Sequence, residues 1–156
     1  MRRLILGLAS HGAVLAIGFG LGVYFLPILT APDAPEASVL RESAAAATFS
    51  AEFTRDLAGS DFLHWGEGTV SLTATQVVHE GKLSPGPDFK PYLLDGFVQD
   101  EAGFEAVRAT ARLVGDVKSF DGFIVDLPEG TDPADFNTVV VWCEAFSEFI
   151  TAAQYR

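Results

Sequence analysis

The feature that most constrains this chain is a long apolar run near its amino terminus. Between Leu4 and Leu29 only Ser10 and His11 are polar. At about 1.5 Å per residue, a helix of this length exceeds the roughly 30 Å hydrocarbon thickness of a bilayer. A cleaved signal peptide is the alternative, but its apolar core is usually only about 7–15 residues long and ends at a small-residue cleavage site. The sequence therefore favours a retained signal anchor, a transmembrane helix within residues 1–29.

The charges on the two sides of this run predict its orientation. Arg2 and Arg3 precede the run, whereas Asp33 and Glu36 follow it, and basic flanks stay in the cytoplasm. The remainder is then periplasmic or extracellular. It holds all 21 acidic but only 8 of the 10 basic residues, a net charge of 8 − 21 = −13. We therefore expect no nucleic acid partner and poor binding to anionic lipid, and better binding to cationic proteins or metal ions.

The exported part divides by composition into a linker and one domain. Residues 30–48 are rich in alanine, proline and acids, which predicts a linker, with a short helix from Ser38 to Ala47. From residue 49 to 156, aromatic residues recur, and glycine and proline separate short apolar runs. Such a length is enough for a single hydrophobic core.

The apolar runs of residues 49–156 mostly have the period of a β-strand. The clearest are "TVSLTAT", "FIVDLP" and "TVVVWC", and weaker ones are "AEFTRDL", "FKPYLL", "ARLVG" and "EFITAA". Together with the turn signals between them, they predict an all-β domain, an antiparallel β-sandwich or small barrel. The segment from Glu101 to Arg112 instead has apolar residues at helical spacing, which predicts a short helical insertion.

An inventory of reactive residues excludes most kinds of site. After the apolar run the chain has one cysteine, Cys143, two histidines, His64 and His79, and no methionine. A four-ligand zinc site of Cys and His type cannot be completed from these three residues without a carboxylate or another chain. No C-x-x-C pair and no glycine-rich phosphate loop occurs, and no hydrolase triad can be assembled. His79, in "VVHEGK", is interpreted as a turn residue.

Cys143 has three interpretations on the residues alone. It is an inert apolar residue of the core, a partner in an intermolecular disulfide, or a redox thiol or cofactor ligand. Its alternation with Val139 and Val141 on one strand face favours the first. With His64 and His79 it would form a His₂Cys set, the minimum for one type of copper site. Sequence spacing does not show that these three residues meet.

The order of several short motifs resembles the DM-thirteen domain, a family described as electron-transfer associated. The motifs are "FSAEF", "HWGEGTVSL", "GPDFKPYL", "LVGDVKSFDGFIVDLP" and "FNTVVVWCEAF". The resemblance covers nearly all of residues 49–156. It implies an exported β domain proposed to transfer electrons, in which the family's cysteine acts as a thiol or holds a prosthetic group such as haem. Cys143 stands at the matching position.

Together these observations predict a membrane-anchored, extracytoplasmic redox module. Cys143 would be its thiol or cofactor ligand, and His64 a second ligand or a proton acceptor. The bound group stays open, with haem and copper as candidates, and a redox partner would be another protein of the envelope. The alternative is a non-catalytic binding or structural module of the cell envelope with Cys143 buried in its core.

Overall fold

A computed structural model describes all of residues 1–156. It begins with helix α1 (Arg2–Thr30), none of whose residues is buried. This helix is long and apolar enough to cross a membrane, a criterion that a signal sequence also meets. Helix α2 (Ala37–Ala44) follows and buries Leu40. The helix predicted between α1 and the domain is therefore present, although it ends three residues early.

The rest of the chain forms two antiparallel sheets of four strands each. The first sheet has the order β1-β2-β3-β6, and its strands are β1 (Phe49–Phe53), β2 (Gly66–Leu72), β3 (Gln76–Leu83) and β6 (Phe123–Asp126). The second has the order β5-β4-β7-β8, and its strands are β4 (Phe89–Leu94), β5 (Arg112–Leu113), β7 (Thr138–Cys143) and β8 (Glu148–Gln154). The predicted β class is confirmed at this level.

Strand β7 explains why its sequence is apolar without interruption. All six of its residues are buried. One face, with Val139, Val141 and Cys143, belongs to a core to which both sheets contribute. The other face, with Val140 and Trp142, packs in a second cluster. A strand that is buried on both faces does not alternate between polar and apolar residues.

Helix α3 (Glu101–Val107) covers the second cluster. Its Phe104 is fully buried, with its ring centroid 4.8 Å from that of Trp142. The helix begins where the Asp100 carboxylate accepts a hydrogen bond from the Gly103 amide at 2.7 Å, a typical cap. The insertion predicted up to Arg112 is shorter, because the chain passes into a 3₁₀ turn, Arg108–Thr110, and then into β5.

The interpretation of His79 as a turn residue is wrong. His79 lies within β3 and is fully buried. Its ring packs between those of Phe53 and Phe123, at centroid distances of 5.2 and 5.1 Å. The polar residues of β3 interrupt the alternation typical of a strand, so the sequence did not indicate this strand. The two phenyl rings provide an apolar environment that holds a neutral imidazole.

Candidate functional site around Cys143

Cys143 is the last residue of β7, where the second sheet meets the loop before β4. It pairs with Phe89 on one side and with Glu148 on the other. A β-bulge between Val141 and Trp142 shifts the register just before it. The thiol donates a hydrogen bond to the Pro87 carbonyl, with 3.0 Å between Sγ and O. Its side chain therefore has a fixed direction, towards the end of the sheet.

The surroundings of the sulfur keep it protonated. Burial raises the pKa of the Cys143 thiol above its usual value, and the carboxylates of Asp88 and Glu148 add to this effect. The backbone N–H groups of Ala145 and Phe146 point to the sulfur and lower the pKa, but by less. Because the thiolate is the reactive form, Cys143 is not an activated nucleophile in the free protein. In the free protein it is a protonated thiol, and two backbone N–H donors lie beside the sulfur.

His64 lies in the loop between β1 and β2, and Asp61 sets the orientation of its ring. Nδ1 of His64 is 3.1 Å from Oδ1 of Asp61. The same oxygen accepts hydrogen bonds from the backbone amides of Leu63 and His64, both at 2.7 Å. Burial alone would raise the pKa of Asp61, but these hydrogen bonds lower it below its usual value. The carboxylate therefore stays charged and leaves Nε2 of His64 free for a ligand or a proton.

Cys143 and His64 line the same cavity, which has a volume of about 320 Å³. Four large apolar side chains complete much of its wall, those of Leu63, Phe89, Phe146 and Ile150. Helix α1 contributes Gly20, Val23 and Tyr24, and Glu148 adds a carboxylate. The structure thus brings together the two residues that the sequence singled out.

The third residue of the hypothetical copper set does not join them. Nε2 of His79 lies 3.1 Å from the Glu67 carbonyl oxygen, inside the first sheet. No group of three or more His, Cys, Asp or Glu side chains is close enough to hold a metal ion. A His₂Cys copper site is therefore not assembled. The pair that remains, one thiol and one imidazole, lines one cavity.

Haem and copper each fit these residues and this cavity only in part. Cysteine and histidine are both axial ligands of haem iron, and soft thiolates also select Cu(I). The cavity is at the low end of the roughly 300–1,000 Å³ typical of ligand pockets. A porphyrin is larger than this space and would extend beyond it, whereas a single metal ion or a one-ring molecule would not.

Sequence reasoning missed the polar cluster on the opposite side of β7. The carboxylate of Glu144 accepts hydrogen bonds from the Tyr92 hydroxyl and from Arg108. The Arg108 guanidinium lies 5.7 Å from the centre of the Trp142 ring. Burial raises the pKa of Tyr92, and its bond to Glu144 adds to this effect. From the sequence, the one sign that this cluster lies near the site was that Glu144 directly follows Cys143.

Comparison with known proteins bears on this site. A family model described as electron transfer DM13 matches residues 56–155, which is more than half of the chain and includes every strand from β2 to β8. The match includes His64 and Cys143 and confirms the resemblance drawn from the motifs. No curated protein and no solved structure matches the chain.

Proposed function

Because the chain belongs to the electron transfer DM13 family, we propose that it is a membrane-anchored redox module with Cys143 as its redox-active group. In this proposal α1 is retained as the anchor and the domain lies outside the cytoplasm. The two sheets, which share one core, pack as an antiparallel sandwich. The observation that carries the proposal is the shared cavity of Cys143 and His64.

The state of the thiol favours a role as cofactor ligand over a role as nucleophile. The raised pKa keeps the free thiol protonated, with Pro87 accepting its hydrogen bond. If Cys143 held a metal as the thiolate, the N–H groups of Ala145 and Phe146 would stabilise that thiolate, and such hydrogen bonds tune reduction potentials. A bound haem iron or copper ion would supply the centre that gains and loses the electron.

His64 has the geometry for two related roles. Asp61 holds the imidazole through Nδ1, which fixes the tautomer and directs Nε2 away from the carboxylate. Nε2 would then be the second ligand of a bound metal or the acceptor of the thiol proton. In either role, His64 acts within the cavity that it shares with Cys143.

A second candidate function rests on the burial of the same cysteine. Cys143 is only 2% exposed and belongs to the core that both sheets share. Buried structural cysteines are generally inert. On this alternative the domain is a non-catalytic binding or structural module of the envelope, and Cys143 packs like any small apolar residue.

The two candidates separate in a spectroscopic experiment on the full chain. Protein purified in mild detergent is examined by visible absorbance as isolated, then after addition of haemin, Cu(I) or Cu(II). The redox module predicts a band that Cys143→Ser abolishes and His64→Gln shifts. His11→Gln is the matched control, because His11 lies on α1 outside the cavity. No Cys143-dependent band, together with a thiol inert to mild oxidants, would reject the redox module.

The anchor has its own test. The mass of the mature protein extracted from membranes should include residues 1–29, and alkaline washing should leave it in the membrane fraction. A mature form that begins after Leu29 would show that the segment is a cleaved signal.

A further inference from the structure

The length of α1 indicates where the outer boundary of the bilayer falls. The helix has 29 residues and is therefore about 43 Å long, more than the roughly 30 Å hydrocarbon core. If Arg2 and Arg3 lie at the inner surface, about 20 residues cross the core. The crossing then ends near Val23 and Tyr24. A tyrosine suits this level, because its ring is amphipathic.

The residues at this boundary also form one wall of the cavity that holds Cys143. Gly20, Val23 and Tyr24 line it from the helix, opposite the apolar side chains of the domain. The cavity therefore lies at the level where the hydrocarbon meets the headgroups. A lipophilic molecule dissolved in the outer leaflet reaches it without crossing water.

The rim of the cavity is also unusually apolar for an exposed surface. Residues 49–156 have five large apolar side chains that are exposed, and Phe62, Leu63 and Phe146 are three of them. Phe62 is 85% and Phe146 53% exposed. Leu63 and Phe146 line the cavity, and Phe62 precedes Leu63 in the same loop. Exposed apolar side chains gathered at one end mark a surface that meets a membrane or a ligand.

We propose that this cavity binds the head group of a membrane quinone, which enters from the outer leaflet. This inference rests on the proposed function and names the class of redox molecule that the module meets. The ligand is not an anion, because Asp61 and Glu148 stand beside the cavity and the exported part carries excess negative charge, and entry from the hydrocarbon favours an uncharged molecule. It has to be largely apolar but able to hydrogen-bond, because the Cys143 thiol is a donor and Nε2 of His64, whose Nδ1 faces Asp61, is an acceptor.

A quinone satisfies these conditions within the space present. Its single ring fits a volume of about 320 Å³, and Phe89 and Phe146 offer phenyl rings in the cavity wall. A carbonyl oxygen of the quinone accepts a hydrogen bond from the Cys143 thiol, and a hydroxyl of the reduced quinol form donates one to Nε2 of His64. Its tail extends past Gly20 and Val23 into the bilayer. An acyl chain of a lipid would use the same apolar walls but neither of these polar groups.

The single cysteine makes occupancy of the cavity measurable. The full chain is placed in nanodiscs of phosphatidylcholine, and Cys143 is alkylated with a bilayer-soluble alkyl maleimide. The probe is a benzoquinone that carries a decyl tail and has no unsubstituted ring position. The thiol therefore cannot add to its ring. If it fills the cavity, alkylation slows about tenfold at a concentration roughly ten times its dissociation constant. Decanol, which has the tail without the ring, should leave the rate unchanged.

Two glycines of α1 supply matched variants. A Cβ at Gly20 or at Gly12 would meet no atom within 4 Å, so the backbone at both positions admits a side chain such as leucine. Only Gly20 lines the cavity. Gly20→Leu should abolish most of the protection by the quinone, whereas Gly12→Leu should protect as the wild type does. Equal protection in both variants, or equal protection by decanol, would overturn the quinone site.

A readout that does not use the thiol separates this inference from the proposed function. Trp65 follows His64 in the chain, and a bound quinone should quench its fluorescence in Cys143→Ser but not in Cys143→Ser with Gly20→Leu. Quenching without any Cys143-dependent redox change would reject the proposed function and support the quinone site. A redox-active Cys143 with neither quenching nor protection would reject the quinone site alone.

Discussion

The buried imidazole of His79 makes the stability of the domain depend on pH. Burial between Phe53 and Phe123 lowers the pKa of His79 to about 4, although its hydrogen bond to the Glu67 carbonyl and the charge of Glu52 act in the opposite direction. Because a carbonyl can only accept, Nε2 carries the proton of the neutral ring. The unfolded chain binds a second proton near pH 6.5, whereas the folded chain does so only near pH 4.

The sign and size of the effect follow from these two values. Above pH 6.5 the imidazole is neutral in both states, and its burial carries no penalty from titration. As the pH falls from 6.5 towards 4, the unfolded state gains the proton first, so the free energy of unfolding decreases. At about 1.4 kcal/mol per unit, the loss is about 2 kcal/mol at pH 5 and about 3 kcal/mol below pH 4.

Urea unfolding of the full chain in detergent at pH 7, 6 and 5 measures this loss. His79→Gln keeps a donor for the Glu67 carbonyl but does not titrate. The wild type should therefore lose about 2 kcal/mol more than His79→Gln between pH 7 and pH 5. Val77→Ala, in the same strand and core but without a titratable group, is the control and should show the wild-type difference between pH 7 and pH 5. Parallel curves for wild type and His79→Gln would refute the reasoning.

Three further substitutions test the packing around the site. Gly81→Ala should destabilise the domain by several kcal/mol, since its Cβ would stand 2.0 Å from the Glu67 carbonyl oxygen, and an unchanged melting temperature would contradict the close approach of β2 and β3. Arg108→Ala should cost about 1–3 kcal/mol in urea unfolding, because the partly buried Glu144 loses its cation; a neutral effect would show that water replaces the guanidinium. Cys143→Ala should cost only about 1 kcal/mol by thermal unfolding, and loss of folding would mean that the thiol is a major structural contact.

A strand was predictable from the sequence where all of its residues are buried in the same way. The run "TVVVWC" begins and ends where β7 does, because both faces of that strand are buried. Strand β3 was missed because its polar residues, His79 among them, interrupt the pattern. The burial of His79 was not predictable, since the phenyl rings that surround it come from β1 and β6.

The site was predictable as residues but not as an arrangement. Cys143 stood out as the single thiol at a strand end, and His64 as one of two histidines after the apolar run. Their meeting at one cavity depends on the loop that Asp61 orders before β2, and local patterns do not report such long-range contacts. The sequence also did not predict that α1 lines this cavity, because an apolar helix indicates a membrane span and not a contact with the site of the thiol.

A redox titration of the full chain, wild type against Cys143→Ser, tests the central claim most directly. The protein is isolated with whatever group it binds, and each potential is followed by visible absorbance and by the mass of the peptide that contains Cys143. The account predicts a transition in one of these signals that Cys143→Ser displaces or abolishes. Superimposable titrations of the two proteins would contradict it and leave Cys143 as a residue of the core.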